Sequence, residues 1–317
     1  MILDNITEEI RKATDIVILT HETPDGDAIG SSLALYGALK SMGKNVDVIV
    51  PDCPAIFSFL PWFEEMKKEG KEERYELAIA LDCSDMKRLN GFAPYFENAK
   101  TKIVIDHHGS NTMFGDYNFV NPNSPAACEI LVAVLDYMGI EINKGIGTCL
   151  AAGIITDTGG FRHDTVKPET FEFIATLLNK GVNISGIYRR VLQIISMKQF
   201  EIRRIALNRM EFLEDGKIAF TYITNEEQEK MKLETGDHEG IVEFGRDVEG
   251  VEVSIFLREL PEGGYKASFR SNEYVNVSDV CLMFGGGGHP KAAGCNIVLP
   301  LEQAKEKLVA QTKLYLK

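Results

Sequence analysis

The chain has no run of about 18 consecutive apolar residues, and without one a membrane-spanning helix is not expected. Its opening segment, MILDNITEEIRKATD, is amphipathic and charged and has no apolar core, so it does not read as a signal peptide. A soluble, cytoplasmic protein without a membrane partner is expected. The six cysteines, Cys53, Cys83, Cys128, Cys149, Cys281 and Cys295, include no Cys-x-x-Cys pair. That argues against a zinc knuckle or a dithiol redox site and for reduced, mostly buried thiols. A long basic stripe is also missing. With 34 Lys and Arg against 47 Asp and Glu, the formal net charge is -13. This is the wrong sign for gripping long duplex nucleic acid through counterion release. A phosphate-bearing partner should therefore be small, with its charge met locally by metal ions and a few basic groups.

What is present is enough apolar residue content, 44% of 317 residues, for two domains. The stretch Ile16–Ser32, IVILTHETPDGDAIGSS, is a short apolar strand that stops at Thr20 and delivers His21, Asp25 and Asp27 in a tight Pro-Asp-Gly turn. A helix over Ala28–Met42, closed by Gly43, should follow. Taken alone, these acids read equally well as loop or helix-capping residues. The pattern then recurs. LAIALD (77–82) runs apolar into Asp82, and KIVI (102–105) runs into Asp106, His107 and His108. A helix is expected over Pro125–Met138, and another within Gly145–Phe161 presents Asp157 just ahead of Gly159 and Gly160. Strands alternating with helices predict a parallel α/β sheet, whose C-terminal strand ends share one rim where ligands bind.

Residues 167–204 read as helical, with a break at Gly181. Beyond them, KIAFTYIT (217–224), VEVSIFLREL (251–260) and YKASFRS (265–271) alternate as half-buried strands, with PEGG as a hairpin turn. They predict a smaller, mixed α/β second domain. The expected limits are 1–184 for the first domain, 185–204 for a helical linker and 205–317 for the second. Near the end, FGGGGHPKAAG (284–294) places four glycines before His289. Such a run is either a backbone nest offering N–H groups to an anion or a mobile turn. His238 lies in an acidic loop and reads as surface.

Hard carboxylates mixed with imidazole and no thiolate suit Mn²⁺ or Mg²⁺ better than structural zinc. So many acids argue for two ions. Two divalent cations about 3.5–4 Å apart activate water and clamp phosphoryl oxygens, which predicts phosphate-ester hydrolysis.

The ordered set THETPDGDAIGSS, ALDCSD, DHH at 106–108, ITDTGGF and GGGGHPKAAG strongly resembles the DHH/DHHA1 phosphoesterases, and within them the bacterial nano-RNase and pAp-phosphatase branch. The resemblance spans Ile16 to Gly294. It implies an N-terminal DHH catalytic domain, a C-terminal DHHA1 substrate-binding domain and an active site in the cleft between them. It implies two Mn²⁺, with Mg²⁺ or Co²⁺ as substitutes: His21, Asp25 and Asp82 for one ion, and Asp27, Asp82, His107 and Asp157 for the other. His108 would face the scissile phosphate, and Asp106 would orient a neighbouring histidine. Arg270, Gly286, Gly287, Gly288 and His289 would hold the nucleotide end, with Arg162 as either a further phosphate contact or a salt-bridge partner. His163 stands where relatives are expected to carry an aromatic residue. The implied reaction releases 5′-mononucleotides from short oligoribonucleotides such as pApA, with 3′-phosphatase activity on pAp beside it. Alternatives are a phosphodiesterase of cyclic di-AMP or linear dinucleotides, an inorganic pyrophosphatase, and an inactive nucleotide-binding regulator. The expected assembly is a monomer or homodimer.

Overall fold

The computed structural model describes residues 2–50, 53–71 and 74–317. The chain divides into two compact units that meet in sequence between Ile194 and Ile195.

In the first unit, β1 (Asp15–Leu19), β2 (Asn45–Ile49), β3 (Met66–Lys67), β4 (Leu77–Leu81), β5 (Thr101–Asp106) and β6 (Tyr117–Val120) form one sheet in the order β3-β2-β1-β4-β5-β6. Every neighbouring pair is parallel. The order reverses between β1 and β4, and open α/β sheets take ligands in the crevice beyond the C-terminal strand ends at such a reversal. β3 and β6 lie outside the apolar runs visible in the sequence. One has only two residues, and the other is half-buried along its length.

Leu77–Leu81 are buried without exception, so shortening Leu81 to alanine is expected to cost about 2–5 kcal/mol. The helix Gly26–Ser41 is buried at every position from Gly26 to Leu39, as befits a helix surrounded by protein on all sides. It starts two residues earlier than the sequence reading placed it. The reason is Asp25, whose carboxylate caps the end by accepting from Asp27 N and Ala28 N at 3.0 and 3.1 Å. At the other end Gly43 takes φ +76°, the left-handed turn that ends many helices.

This helix lies backbone to backbone against the helix Lys144–Asp157. A Cβ on Gly30 would fall 2.6 Å from the Cys149 carbonyl oxygen, and one on Gly153 would fall 2.8 Å from Asp27 Oδ1. The second helix stops at Asp157, short of the expected Phe161, because Gly159, Gly160 and Phe161 all adopt positive φ. The helix expected over 125–138 runs Ala127–Tyr137. Residues 168–208 form the helices Pro168–Asn179, Ile184–Tyr188 and Met197–Asn208, with a wider π-type turn at Arg189–Gln193.

In the second unit, β7 (Glu211–Leu213), β8 (Ile218–Ile223), β9 (Val253–Glu259), β10 (Tyr265–Ser271), β11 (Gly287–His289) and β12 (Ala292–Ile297) form a mixed sheet in the order β11-β12-β10-β9-β8-β7. Only β8 and β9 run parallel. On β10, Tyr265, Ala267, Phe269 and Ser271 are buried, while Lys266, Ser268 and Arg270 alternate onto the other face. The buried face packs with Val277, Val280, Ala304 and Leu308 from the helices Val277–Leu282 and Leu301–Lys313.

The glycine run is neither an open nest nor a loose turn. Gly285 N and Gly286 N each donate to the end of the preceding helix at 3.0 Å, and Gly287–His289 pair with β12 as an edge strand. Glycine is needed for closeness, since a Cβ on Gly286 would lie 2.2 Å from the Gly294 carbonyl oxygen.

Candidate metal centre

Elements of the first unit deliver seven side chains to one place. His21 follows β1, Asp25 and Asp27 open the helix Gly26–Ser41, and Asp82 follows β4. His107 and His108 follow β5, and Asp157 ends the helix Lys144–Asp157. Three sets have donor atoms within 4.8 Å of one another: His21, Asp25 and Asp82; Asp27, His107 and Asp157; and Asp82, His107 and His108. Asp82 and His107 each belong to two sets. His107 Nε2 lies 3.4 Å from Asp82 Oδ1, 3.3 Å from Asp157 Oδ2 and 4.0 Å from Asp27 Oδ2. His21 Nε2 lies 3.7 Å from Asp82 Oδ2.

Several of these groups are held by bonds that leave donor capacity pointing inward. Asp82 adopts φ +50°, a conformation aspartate tolerates better than most residues, while its N–H bonds the Ile105 carbonyl at 3.1 Å. His107 Nδ1 faces the Ser124 carbonyl at 3.3 Å, which places a proton on Nδ1 and turns Nε2 toward the acids. The Asp27 carboxylate accepts from Ala127 N at 2.5 Å and Cys128 N at 2.9 Å, at the positive start of the helix Ala127–Tyr137. Asp106 belongs to none of the three sets. Its Oδ1 accepts from His107 N and faces His108 Nδ1, both at 2.8 Å, and its Oδ2 accepts from Asn111 Nδ2 at 2.6 Å.

The electrostatics record crowding. Burial, and then the charges of Asp82 and Asp157, push the Asp27 carboxyl well above the ordinary carboxylate range. Burial likewise lifts Asp157 to about 6. Burial also acts upward on Asp82, but the imidazoles of His107 and His21 outweigh it and its net shift is downward. On His107 burial acts downward, and the nearby Asp82 carboxylate with the Asp27 and Asp157 charges overcomes it, reaching about 10. His108 is raised, first by its bond to Asp106. Asp82 Oδ1 is buried without a hydrogen-bond partner, a state that costs about 1–3 kcal/mol or more for a charged group. Surplus buried negative charge, an orphaned carboxylate oxygen and imidazole nitrogens facing it make a donor set that fits hard divalent cations.

The remaining expected residues lie elsewhere. Arg162 is exposed and donates from Nε to the Gly159 carbonyl at 2.8 Å, and His163 Nδ1 faces the Asp157 carbonyl at 2.9 Å. In the second unit, Arg270 donates from Nε to Glu243 Oε1 at 2.9 Å and from Nη1 to the Phe269 carbonyl at 3.0 Å, while His289 is exposed on β11. Arg270 borders an open concavity of about 480 Å³ with Arg258, Lys266, Ser268 and Glu243. Arg258 and Lys266 were not anticipated, although the spacing Lys266, Ser268, Arg270 within a strand pattern was a signal for a polar face. His238, expected at the surface, is half-buried in the same wall.

Comparison with known proteins gives a consistent picture. The family model described as DHH family, N-terminal domain, matches residues 15–154, and that of the DHHA1 domain matches residues 215–317. A Thermus thermophilus protein named bifunctional oligoribonuclease and PAP phosphatase NrnA is 35% identical over 308 residues, covering 96% of this chain and 91% of that protein. A Mycoplasma genitalium protein of the same name is 26% identical, with 92% of each chain covered. The crystal structure of an exopolyphosphatase-related protein from Bacteroides fragilis superposes with a TM-score of 0.88 at 30% identity, covering 99% of this chain and 96% of that one.

Proposed function

The chain belongs to the DHH family and carries a DHHA1 domain, and from that membership we propose that it is a Mn²⁺-dependent phosphoesterase of short oligoribonucleotides. In this reading it releases 5′-mononucleotides from substrates such as pApA and removes the 3′-phosphate of pAp. The observation that carries the reading is the joining of donor sets through Asp82 and His107. His21, Asp25 and Asp82 would hold one cation, and Asp27, Asp82, His107 and Asp157 the other. Two such ions, when bound, acidify water and neutralise phosphoryl oxygens.

The chain's own groups do the rest. Asp106 fixes the His108 ring through Nδ1, which leaves Nε2 to hydrogen-bond the scissile phosphoryl group or protonate the leaving oxygen. The raised pKa of His108 supports the donor role. Arg270 is suited to a terminal phosphate, with Glu243 holding one side of its fork. Gly286, Gly287, Gly288 and His289 would add contacts from the edge strand, and Arg162 one from the first unit. Residues 1–184 are assigned as the catalytic domain, 185–204 as linker and 205–317 as substrate-binding domain.

The test is a substrate panel of pApA, longer oligoadenylates, pAp, cyclic di-AMP and pyrophosphate, run with Mn²⁺, Mg²⁺ and chelator. Mononucleotide release from pApA and short oligomers with Mn²⁺, and none with chelator, is expected. Intact pApA, oligomers and pAp in the presence of Mn²⁺ would overturn the proposal.

A further inference from the structure

In the second unit β9 and β10 run antiparallel, with Arg258 directly opposite Lys266 and Ser254 opposite Arg270. Side chains two and four residues apart on a strand share a face, so Lys266, Ser268 and Arg270 line up on one side and Arg258 joins them. All four border the open concavity of about 480 Å³. Arg270 is engaged by Glu243 at 2.9 Å. Among the described residues neither Arg258 nor Lys266 has a hydrogen-bond or ion-pair partner through its side chain. Two like charges directly opposite in an antiparallel pair work against the pairing. Folding alone gives no reason for this placement, and an anion lying across the pair does.

The distance along β10 decides what kind of anion. Lys266 and Arg270 are four residues apart, which is about 13 Å of strand. One phosphate cannot bridge both stations, whereas two phosphates of one nucleotide chain can. We propose that Arg258 and Lys266 form a second phosphate subsite, which takes an internal phosphate of an oligoribonucleotide whose terminal phosphate Arg270 holds. The inference rests on the oligoribonuclease reading above and deepens it, because it makes affinity rise with substrate length beyond a single nucleotide. The arginine offers a planar fork and the lysine a mobile point charge, a pair suited to a phosphodiester that carries one negative charge. Glu239 and Glu243 border the same concavity, and Glu243 is the one that Arg270 engages.

The experiment compares the full chain with the double variant Arg258→Ala/Lys266→Ala. Binding of 5′-phosphorylated oligoadenylates of two, three and five nucleotides, and of pAp, is measured by fluorescence anisotropy in chelator over a range of salt. Turnover with Mn²⁺ is measured in parallel. For three and five nucleotides the variant should lose about tenfold or more in affinity, and the salt slope should fall by about one to two contacts. Affinity for pAp should be unchanged, and the variant should melt no lower than the parent, since a like-charge contact has been removed. Unchanged affinity for the longer oligomers in a parent that hydrolyses them would overturn the subsite and leave the enzymatic reading standing. Equal losses for pAp and oligomers, or full competition by inorganic phosphate at the same concentration for every length, would also overturn it in favour of a simple anion site. A parent that neither binds nor hydrolyses any oligomer would overturn the enzymatic reading and the subsite with it.

Discussion

The acid-histidine cluster of the first unit and the β9–β10 face of the second are opposite kinds of electrostatic imbalance. In the first, Asp25, Asp27, Asp82 and Asp157 share a small space with His21, His107 and His108. In the second, Arg258 faces Lys266 across a strand pair. Elsewhere charges are paired in the ordinary way, as in Arg209–Glu227 at 2.7 Å and Lys305–Glu211 at 2.6 Å. The difference teaches where folding has yielded to function. Under the two proposals above, cations would complete the first place and phosphate the second.

If the acid cluster is built to hold cations, the bonds that aim its imidazoles matter more than their number suggests. Asp106→Asn keeps the size of the side chain but weakens its hold on His108, and a fall of about 10- to 100-fold in kcat is expected, with little change in melting temperature. Unchanged kcat would remove Asp106 from the machinery. Gly153→Ala tests how the cluster is positioned. The new methyl group would press on Cys128 Sγ and on Asp27, so a loss of about 1–3 kcal/mol in denaturant unfolding is expected, together with weaker metal binding. A fully stable variant would mean that the two helices can part without cost.

The smallest effect is one of pH. In the metal-free fold Asp157 is lifted to about 6, so its ionisation opposes folding, and the stability it contributes returns as pH falls through about 6. His107 is raised to about 10, so its contribution is present below its ordinary value near 6.5 and is lost as pH rises through about 10. Between these limits a bound cation must displace the proton of His107. Calorimetry at pH 8 in buffers of different ionisation enthalpy should show proton release on metal binding, and buffer-independent heats would contradict the coupling.

Much of this arrangement was legible before any coordinates. A run such as Leu77–Leu81 that stops at Asp82 announces both a buried strand and an acid at its end, and three such stations with a helix ending at Asp157 identify one rim. Contacts between distant positions were not legible. The bond from Asp27 to Ala127 spans 100 residues, and the carbonyl that orients His107 comes from Ser124, behind a β-strand too polar to be recognised. The left-handed φ of Asp82 has no signature in an acid that follows a strand. The glycines at 285–288 were read for their freedom, which Gly285 uses at φ +73°, whereas Gly286 and Gly288 serve closeness to β12, which depends on a pairing the local sequence does not declare. Arg258 and Lys266 became a pair only through the β9–β10 register, set by the hairpin between Leu260 and Gly264.

The central claim, that one acid cluster holds two cations through a shared carboxylate, is tested most directly by counting ions. Metal-stripped protein titrated with Mn²⁺ and followed by calorimetry and by bound-metal analysis should take up two ions per chain. Asp82→Ala should lose that stoichiometry and all metal-dependent turnover while keeping its far-UV circular dichroism. Two ions still bound by the Asp82→Ala chain, or none bound by the parent, would contradict the account.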